Sequence, residues 1–324
     1  MNKLIIAVLV IFMSTVGIAC AQANYPARPI TMVVPFPPGG VTDSLARLLA
    51  EHMRTRLGQS VVIENVGGAG GSVGTGRVAR AAPDGYTILL GNSETHVLIP
   101  VVQNIDYDVV KDFAPVVLLP AYPFLLVSNN AVPAKNLKEL IAWIKQNPTK
   151  VTQGTVGIGT AQHLCGLALQ KALGVTWQLV PYRGGAPAMQ DLLSGQINFS
   201  CTASGSFLPL VRAGQIRAYA ITTKKRALSA PDIPTVDEAG LPGLYFSVWN
   251  GIWAPAGTPQ AAIDKLNKAA VAAMNDPDVR QRVTDLALEM PPADRLTPQA
   301  LGALQKAEIE KWWPIMKAAG IKAR

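Results

Sequence analysis

The chain has 324 residues, of which 49% are hydrophobic and 15% are charged. A chain of this length exceeds what one hydrophobic core usually holds, so two lobes are expected. Its formal net charge of +8 suits an anionic ligand. The basic residues are scattered, and residues 224–226 form their only run of three. Without an aromatic-interleaved basic stripe, nucleic acid is not an expected partner.

The chain begins with a signal-peptide pattern. Lys3 supplies positive charge, residues 4–11 are apolar, and residues 21–23 are Ala-Gln-Ala, a small-x-small cleavage motif. We therefore predict that residues 1–23 are removed on export. The sequence around Cys20 resembles a lipoprotein motif only faintly, so lipid anchoring is not expected. No later segment stays apolar for the roughly 20 residues of a transmembrane helix, so no membrane domain is predicted.

Two glycine-rich loops follow the first two predicted strands. Loop 1, residues 35–40, reads PFPPGG, and loop 2, residues 67–76, reads GGAGGSVGTG. Glycine lets the backbone approach a ligand closely, and the free N–H groups of a helix N-terminus attract anions. After loop 1, Thr42 or Asp43 is expected to cap the next helix and to leave the amides of residues 39–41 free. The two loops therefore predict a carboxylate or phosphate site.

Loop 2 also contains part of a dinucleotide-like pattern. Residues 74–79 fit GxGxxA, and Glu94 lies twenty residues after Gly74, where a ribose-binding acid is sought. However, the pattern begins well past the end of the predicted strand, and Pro-Asp-Gly at residues 83–85 breaks the chain before the next one. Export also separates the protein from NAD. No cofactor is therefore predicted.

Apolar runs alternate with helical patterns through the first 245 residues. One helical face carries Leu45, Leu49 and Met53, and Gly58 is expected to end that helix. This alternation is typical of an α/β fold with mainly parallel sheets. The predicted strands cover residues 30–36, 60–66, 86–92, 124–129, 151–157, 176–183, 196–202 and 216–222.

The pattern changes after Tyr245. An aromatic strand is predicted over residues 245–255, and three helices follow it. Thr258 and Thr297 each precede a proline, which is the expected N-cap and N1 pair for the first and last of these helices. Pro314 is expected to kink the last helix.

The alternating part and the C-terminal helices predict two lobes. The C-terminal helices are expected to return to the first lobe, so lobe 1 comprises residues 24–122 with 246–324, and lobe 2 comprises residues 123–245. The chain is expected to cross between the lobes near residues 120–127 and 242–249.

Lobe 2 is predicted to repeat the arrangement of a strand, a small-residue loop and a helix. Residues 155–160 precede a helix that carries His163, and residues 182–187 precede another. Thr160 adds a hydroxyl group to the backbone donors of the first loop. His163 either lines the site or packs beside it. Arg183 either pairs with a ligand carboxylate or forms a salt bridge elsewhere.

Catalytic and metal-binding motifs are missing from the sequence. It contains no GxSxG elbow, HExxH helix or CxxC pair. His163 and Cys165 are two residues apart on a predicted helix, so their side chains diverge. Three aspartates between residues 106 and 112 lack the spacing of a calcium loop. We therefore predict neither an enzyme nor a metal site. Cys165 and Cys201 either form a disulfide after export or remain buried thiols.

Seven sequence blocks occur in the order typical of one transporter family. The blocks are YPARPITMVVPFPPGGVTDSLAR, GQSVVIENVGGAGGSVGT, AAPDGYTILLGN, DYDVVKDFAPV, GTAQHL, VPYRGGAPAMQDLLSGQI and WNGIWAPAGTP. Together they resemble the substrate-binding proteins of tripartite tricarboxylate transporters, also called the Bug family. The resemblance extends from about residue 25 to the C-terminus.

The resemblance implies a two-lobed α/β periplasmic binding protein of the type II-like, Venus flytrap class. A small carboxylate is then expected in the cleft between the lobes, and the closed form is expected to dock on a membrane permease. A sensor's outer domain is an alternative partner, and a secreted hydrolase or lyase using His163 is a weaker alternative. Because no cluster of Arg and Lys is evident, a monocarboxylate, dicarboxylate or amino-acid-like acid is expected rather than a tricarboxylate.

The same resemblance implies ligand contacts from both lobes. Asn198 stands where family members often carry Asp, so it is expected to read the distal end of the ligand and alter selectivity. The other implied ligand-binding residues are Phe36, Gly39, Gly40, Thr42, Asp43, Gly68, Ala69, Gly70, Asn92, Ser93, Thr155, Thr160, His163, Arg183, Gly184 and Ala186.

Overall fold

The computed structural model describes residues 25–182, 184–318 and 320. The predicted signal peptide and Arg183 therefore lie outside the described residues. Within them, the strands are β1 (Ile30–Val34), β2 (Val61–Asn65), β3 (Thr87–Asn92), β4 (Phe113–Asn129), β5 (Thr152–Thr155), β6 (Gln178–Pro181), β7 (Phe199–Ala203), β8 (Ile216–Ile221) and β9 (Ser247–Pro255). These nine strands form one sheet in the order β2-β1-β3-β9-β4-β7-β5-β6, and β8 pairs with β4.

Helices connect most of the strands. The helix after loop 1 buries Leu45, Leu49 and Met53 on one face, and it ends where Gly58 adopts a left-handed conformation with φ 68°. The helices are α1 (Val41–Leu57), α2 (Ser72–Ala79), α3 (Ile99–Val102), α4 (Leu137–Gln146), α5 (Ala161–Leu173), α6 (Gly185–Ser194), α7 (Ser204–Arg212), α8 (Gln260–Asn275), α9 (Pro277–Asp285) and α10 (Pro298–Ala318), with 3₁₀ turns at Ala69–Gly71 and Ala293–Arg295 and a π-helical turn at Glu94–Leu98.

The sheet is mixed, whereas the sequence predicted mainly parallel pairing. Strand β1 runs parallel to β2 and β3, and β5 runs parallel to β6 and β7. Between these groups, β4 and β9 form a long antiparallel pair. The prediction of a strand over residues 124–129 missed residues 113–123 of β4, because Pro115 and Pro120 interrupt its pattern. In the structure the β4–β9 register shifts next to both prolines, which is how a strand accommodates them.

The C-terminal helices pack on the first part of the chain. Helix α8 packs against α1 and β4, and α10 packs against β4 and the π-helical turn. Trp253 of β9 is fully buried in the main core. The lobe boundaries at residues 122 and 245 stay a prediction. None of the described helices is long and apolar enough to cross a membrane.

One of the two predicted threonine caps is wrong. Thr297 Oγ1 accepts a hydrogen bond from the N–H of Ala300, so it caps α10 as expected. Thr258 does not cap α8, because its hydroxyl donates to the carbonyl oxygen of Pro255 and the helix begins one residue later than predicted. Pro314 lies inside α10.

A disulfide joins Cys165 of α5 to Cys201 of β7. Their Cα atoms are 6.3 Å apart, which lies within the usual range for a disulfide. The bond therefore decides between the two alternatives that the sequence left open, and it fixes α5 to the sheet close to the start of that helix.

Candidate ligand-binding site

The carboxyl ends of the parallel strands meet near the middle of β4. Asn92, the last residue of β3, pairs with Asn250, which pairs with Leu119 of β4. From the other side, Ala203, the last residue of β7, pairs with Phe124 of β4. Ligands of α/β sheets bind outside the carboxyl ends of the strands. The topology therefore directs the loops of both halves of the sheet toward one place.

Loops 1 and 2 contact each other through backbone atoms. A Cβ added to Gly74 would lie 2.5 Å from the carbonyl oxygen of Val66 and 3.0 Å from the Cα of Pro35. A Cβ added to Gly67 would lie 3.4 Å from the ring of Pro37. Only glycine at position 74 allows this approach, so the two glycine-rich loops form one continuous surface.

Asp43 holds loop 1 in place. Its Oδ2 accepts hydrogen bonds from the N–H of Gly39 at 2.9 Å and from Nε of Arg47 at 3.0 Å, and its Oδ1 accepts one from Nδ2 of Asn65 at 2.9 Å. Asn65 also donates to the carbonyl oxygen of Phe36 at 3.1 Å. The loop is therefore braced from both α1 and β2.

These bonds lower the pKa of Asp43, and they give it a role different from the predicted one. Burial alone raises the pKa of Asp43, but the hydrogen bonds from Arg47, Gly39 and Asn65 outweigh burial and hold it below its usual value. The prediction that Thr42 or Asp43 caps α1 is wrong, because the helix has no side-chain cap and Asp43 binds the loop instead. The N–H of Gly39 is consequently already bonded.

Several helices and turns at this edge begin without a side-chain cap. The positions before their first residues are Gly40 for α1, Gly68 for the first 3₁₀ turn, Gly71 for α2 and Gly184 for α6. The first N–H groups of a helix have no partner inside it and carry partial positive charge. The arrangement presents hydrogen-bond donors to an anion.

Helix α5 begins differently, because Thr160 caps it. The hydroxyl of Thr160 accepts from the N–H of His163 at 3.4 Å and donates to the carbonyl oxygen of Gly157 at 2.8 Å. Nδ1 of His163 accepts from the N–H of Gly159 at 3.2 Å. Burial lowers the pKa of His163, so the ring is neutral at pH 7 and carries its proton on Nε2.

The remaining predicted residues have varied surroundings. Asn92 is buried, and its side-chain oxygen accepts from the N–H groups of Glu94 and Thr95, which shapes the turn after β3. Ser93 lines a cavity of about 370 Å³ beside α10. Thr155 is buried at the end of β5, and Ala186 is exposed in the first turn of α6. At the meeting edge the structure places Phe36, Gly39, Gly40, Thr42, Asp43, Gly68, Ala69, Gly70, Asn92, Ser93, Thr155, Thr160, His163, Gly184 and Ala186.

Asn198 does not join this group. It precedes β7, and its carbonyl oxygen accepts from the N–H of Asn129 at the far end of β4. Its side-chain oxygen accepts from the backbone N–H and the hydroxyl of Thr152, the first residue of β5. Five residues of strand at about 3.3 Å each separate it from Ala203, or roughly 16 Å. The structure thus shows this side chain tying β5 to β7 at the opposite edge of the sheet, and the expectation that Asn198 reads the distal end of the ligand stays a prediction.

Glu94 is a residue whose position the sequence did not reveal. Its Oε1 accepts a hydrogen bond at 3.1 Å from the N–H of Ala161, the first residue of α5. Burial raises the pKa of Glu94, whereas the bond from Ala161 acts in the opposite direction. An acid two residues after the end of β3 is the available signal, but in the sequence it fits only the rejected dinucleotide pattern.

Metal ligands do not gather in the described part of the chain. Among residues 25–182, 184–318 and 320, no three His, Cys, Asp or Glu side chains lie where they could hold one ion. The site as described thus consists of backbone donors, hydroxyl groups, one neutral imidazole and two carboxylates that are already hydrogen-bonded.

The sequence matches a known receptor family over most of its length. A sequence model described as "TctC: Tripartite tricarboxylate transporter family receptor" matches residues 45–321. The chain belongs to this family. Its members are periplasmic solute-binding receptors, in agreement with the resemblance of the seven sequence blocks.

Solved structures of related proteins share the fold. The periplasmic binding protein BugD is 42% identical, with 92% of this chain and 100% of BugD covered and a TM-score of 0.82. MatC (Rpa3494) from Rhodopseudomonas palustris, with bound malate, is 38% identical over 90% of this chain and 99% of that chain, with a TM-score of 0.81. R. palustris Rpa4515, with adipate, is 33% identical over 92% of this chain and 100% of that chain, with a TM-score of 0.84. The predicted fold class, a two-lobed α/β periplasmic binding protein, is confirmed.

Proposed function

We propose that this TctC-family receptor captures a small organic acid with one or two carboxylates and delivers it to a tripartite tricarboxylate-type permease. Lobe 1 (residues 24–122 and 246–324) and lobe 2 (residues 123–245) close over the ligand. The proposal includes export to the periplasm and removal of residues 1–23. Measuring the mass of the mature protein tests this removal. Malate in MatC and adipate in Rpa4515 support a dicarboxylate ligand.

The observation that carries the proposal is the braced, uncapped surface of loops 1 and 2. Asp43 and Asn65 fix loop 1, so its donors need no reorganisation when an anion arrives. The uncapped starts of α1 and α2 then provide N–H groups for one ligand carboxylate. Because the N–H of Gly39 is bonded to Asp43, the donors in loop 1 begin at Gly40.

Lobe 2 reads the other end of the ligand. Nε2 of His163 is a hydrogen-bond donor in the neutral ring, and the uncapped start of α6 after Gly184 adds backbone donors. A ligand that contacts both lobes binds the closed form more tightly than the open form. This difference in affinity shifts the equilibrium toward closure.

Replacement of Gly40 tests the anion surface without disturbing the fold. Gly40 has φ −77°, and a Cβ there would lie 3.9 Å from its nearest neighbour, so a side chain fits. Gly40→Asp places a carboxylate at the start of α1, and we expect it to weaken malate and adipate binding by about tenfold or more, because like charges meet. Gly40→Asn adds nearly the same volume without charge and should bind more tightly than Gly40→Asp. If calorimetry shows that Gly40→Asp binds both acids as tightly as the parent protein does, the assignment of the anion surface to the start of α1 is overturned.

A further inference from the structure

The carboxylate of Glu94 reaches across the place where the two halves of the sheet meet. Glu94 starts the π-helical turn after β3, and its bonding partner Ala161 starts α5, on the other side of β4 and β9. By the proposed boundaries, the bond joins lobe 1 to lobe 2. It occupies one of the first N–H groups of α5, which are the groups that a ligand carboxylate would otherwise use.

Close packing of a glycine against the side chain of Val102 accompanies this bond. A Cβ added to Gly159 would lie 2.7 Å from Cγ1 of Val102, so the loop before α5 lies directly on α3. Gly159 has φ +81°, a conformation that favours glycine, and its N–H is bonded to His163. The start of α5 therefore packs against α3, which directly follows the π-helical turn that carries Glu94.

Two of the first three N–H groups of α5 are bonded within the protein. Ala161 donates to Glu94, and His163 donates to the hydroxyl of Thr160. The partial positive charge of the helix start therefore already has an internal carboxylate beside it. A ligand carboxylate placed here has fewer donors available and meets a like charge.

We propose that Glu94 limits the charge of the ligand, because it fills the anion position at the start of α5 and repels a further ligand carboxylate. The inference rests on the proposed function and deepens it. An acid held by loops 1 and 2 then presents an uncharged or singly charged distal end to lobe 2, and a tricarboxylate is disfavoured.

Three variants test this role by calorimetry at pH 8 with malate, adipate and citrate. In Glu94→Gln the side-chain oxygen can still accept from Ala161, but the charge is gone. We expect the affinity for citrate relative to malate to rise about tenfold or more. Glu94→Ala should shift the ratio in the same direction while weakening both acids, because the bond across the lobes is lost. Glu64→Gln is the matched control: it removes an equal charge from an exposed ion pair with Arg77 and should leave the ratio unchanged.

The outcomes separate this inference from the proposed function. If malate or adipate binds the parent protein and both Glu94 variants keep its citrate-to-malate ratio, Glu94 does not limit ligand charge, whereas carboxylate capture stands. If Glu64→Gln shifts the ratio as much as Glu94→Gln, net charge is responsible and the local role is overturned. If none of the three acids binds the parent or any variant, the proposed function fails and this inference fails with it. Circular dichroism and melting temperatures establish that each variant is folded.

Discussion

The carboxylate of Asp43 accepts a hydrogen bond from the N–H of Gly39 at 2.9 Å, which closes loop 1 against the first turn of α1. The same carboxylate is bonded to Arg47 and Asn65, and its side chain is 4% exposed. Loop 1 is therefore fixed by a nearly buried acid rather than by the cap that its sequence suggested. The conformation of loop 1 depends on this side chain.

We expect Asp43→Ala to lower the free energy of unfolding by about 1–3 kcal/mol, because it leaves buried donors unsatisfied. It should also weaken malate binding, since loop 1 loses its brace. Arg47→Ala is the matched control, because Arg47 is 55% exposed and its ion pair contributes less than about 1 kcal/mol. Urea unfolding and calorimetry measure both quantities. Equal losses of stability in the two variants contradict this role of Asp43.

The pH dependence of stability follows from the lowered pKa of Asp43. Its hydrogen bonds hold the folded-state pKa below the unfolded value of about 3.9, so the ionised carboxylate stabilises the fold above that pH. The contribution is lost as the pH falls through the folded-state pKa. The difference in unfolding free energy between the parent and Asp43→Asn should be constant from pH 7 to pH 5 and should shrink below about pH 4. A difference that grows on acidification contradicts the assignment.

Gly74 should be intolerant of a side chain although it lies inside a helix. Alanine normally stabilises a helix interior by about 1 kcal/mol relative to glycine. At position 74 its Cβ would lie 2.5 Å from the backbone oxygen of Val66 and 3.0 Å from Cα of Pro35, so the backbone of loop 2 must move away from loop 1. We expect Gly74→Ala to lower the free energy of unfolding by about 1–3 kcal/mol and to weaken malate binding.

Gly302 in α10 provides the control for Gly74. Its added Cβ would lie 3.4 Å from the ring of Pro115, an ordinary contact, so Gly302→Ala should be neutral or should stabilise by up to about 1 kcal/mol. Urea unfolding of the two variants gives the comparison. Stabilisation by both substitutions would show that loops 1 and 2 are not held by the close approach at Gly74.

The sequence predicted the elements of the site better than their partners. Strand and glycine patterns located loops 1 and 2, because the local periodicity reflects the local structure. The bond from Asp43 to Asn65 joins residues 22 positions apart, and the bond from Glu94 to Ala161 joins residues 67 positions apart. No local pattern specifies such contacts. The position of Asn198 was not evident for the same reason, since the sequence predicts its strand but the edge of the sheet at which it lies depends on pairing with β4 and β5.

The disulfide between Cys165 and Cys201 should contribute substantially to stability. It closes a segment with a sequence separation of 36, for which loop-closure entropy gives roughly 3–4 kcal/mol. We expect the double variant with Cys165→Ala and Cys201→Ala to lose about that much unfolding free energy. Dithiothreitol should destabilise the parent protein by a similar amount and leave the double variant unaffected. Equal sensitivity of both proteins to the reductant contradicts the bond.

Protonation of His163 should destabilise the loop before α5. Nδ1 accepts the N–H of Gly159, and a protonated ring has no acceptor to offer. Burial lowers the folded-state pKa of His163, so the neutral ring stabilises the fold above the unfolded value of about 6.5, and this contribution is lost as the pH falls below it. Between pH 7 and pH 5 the parent should lose more unfolding free energy than His163→Gln, which does not titrate. His96, whose pKa burial lowers to about 3, is present in both proteins and cancels in the comparison. Parallel losses in the two proteins would show that His163 does not hold the loop through Nδ1.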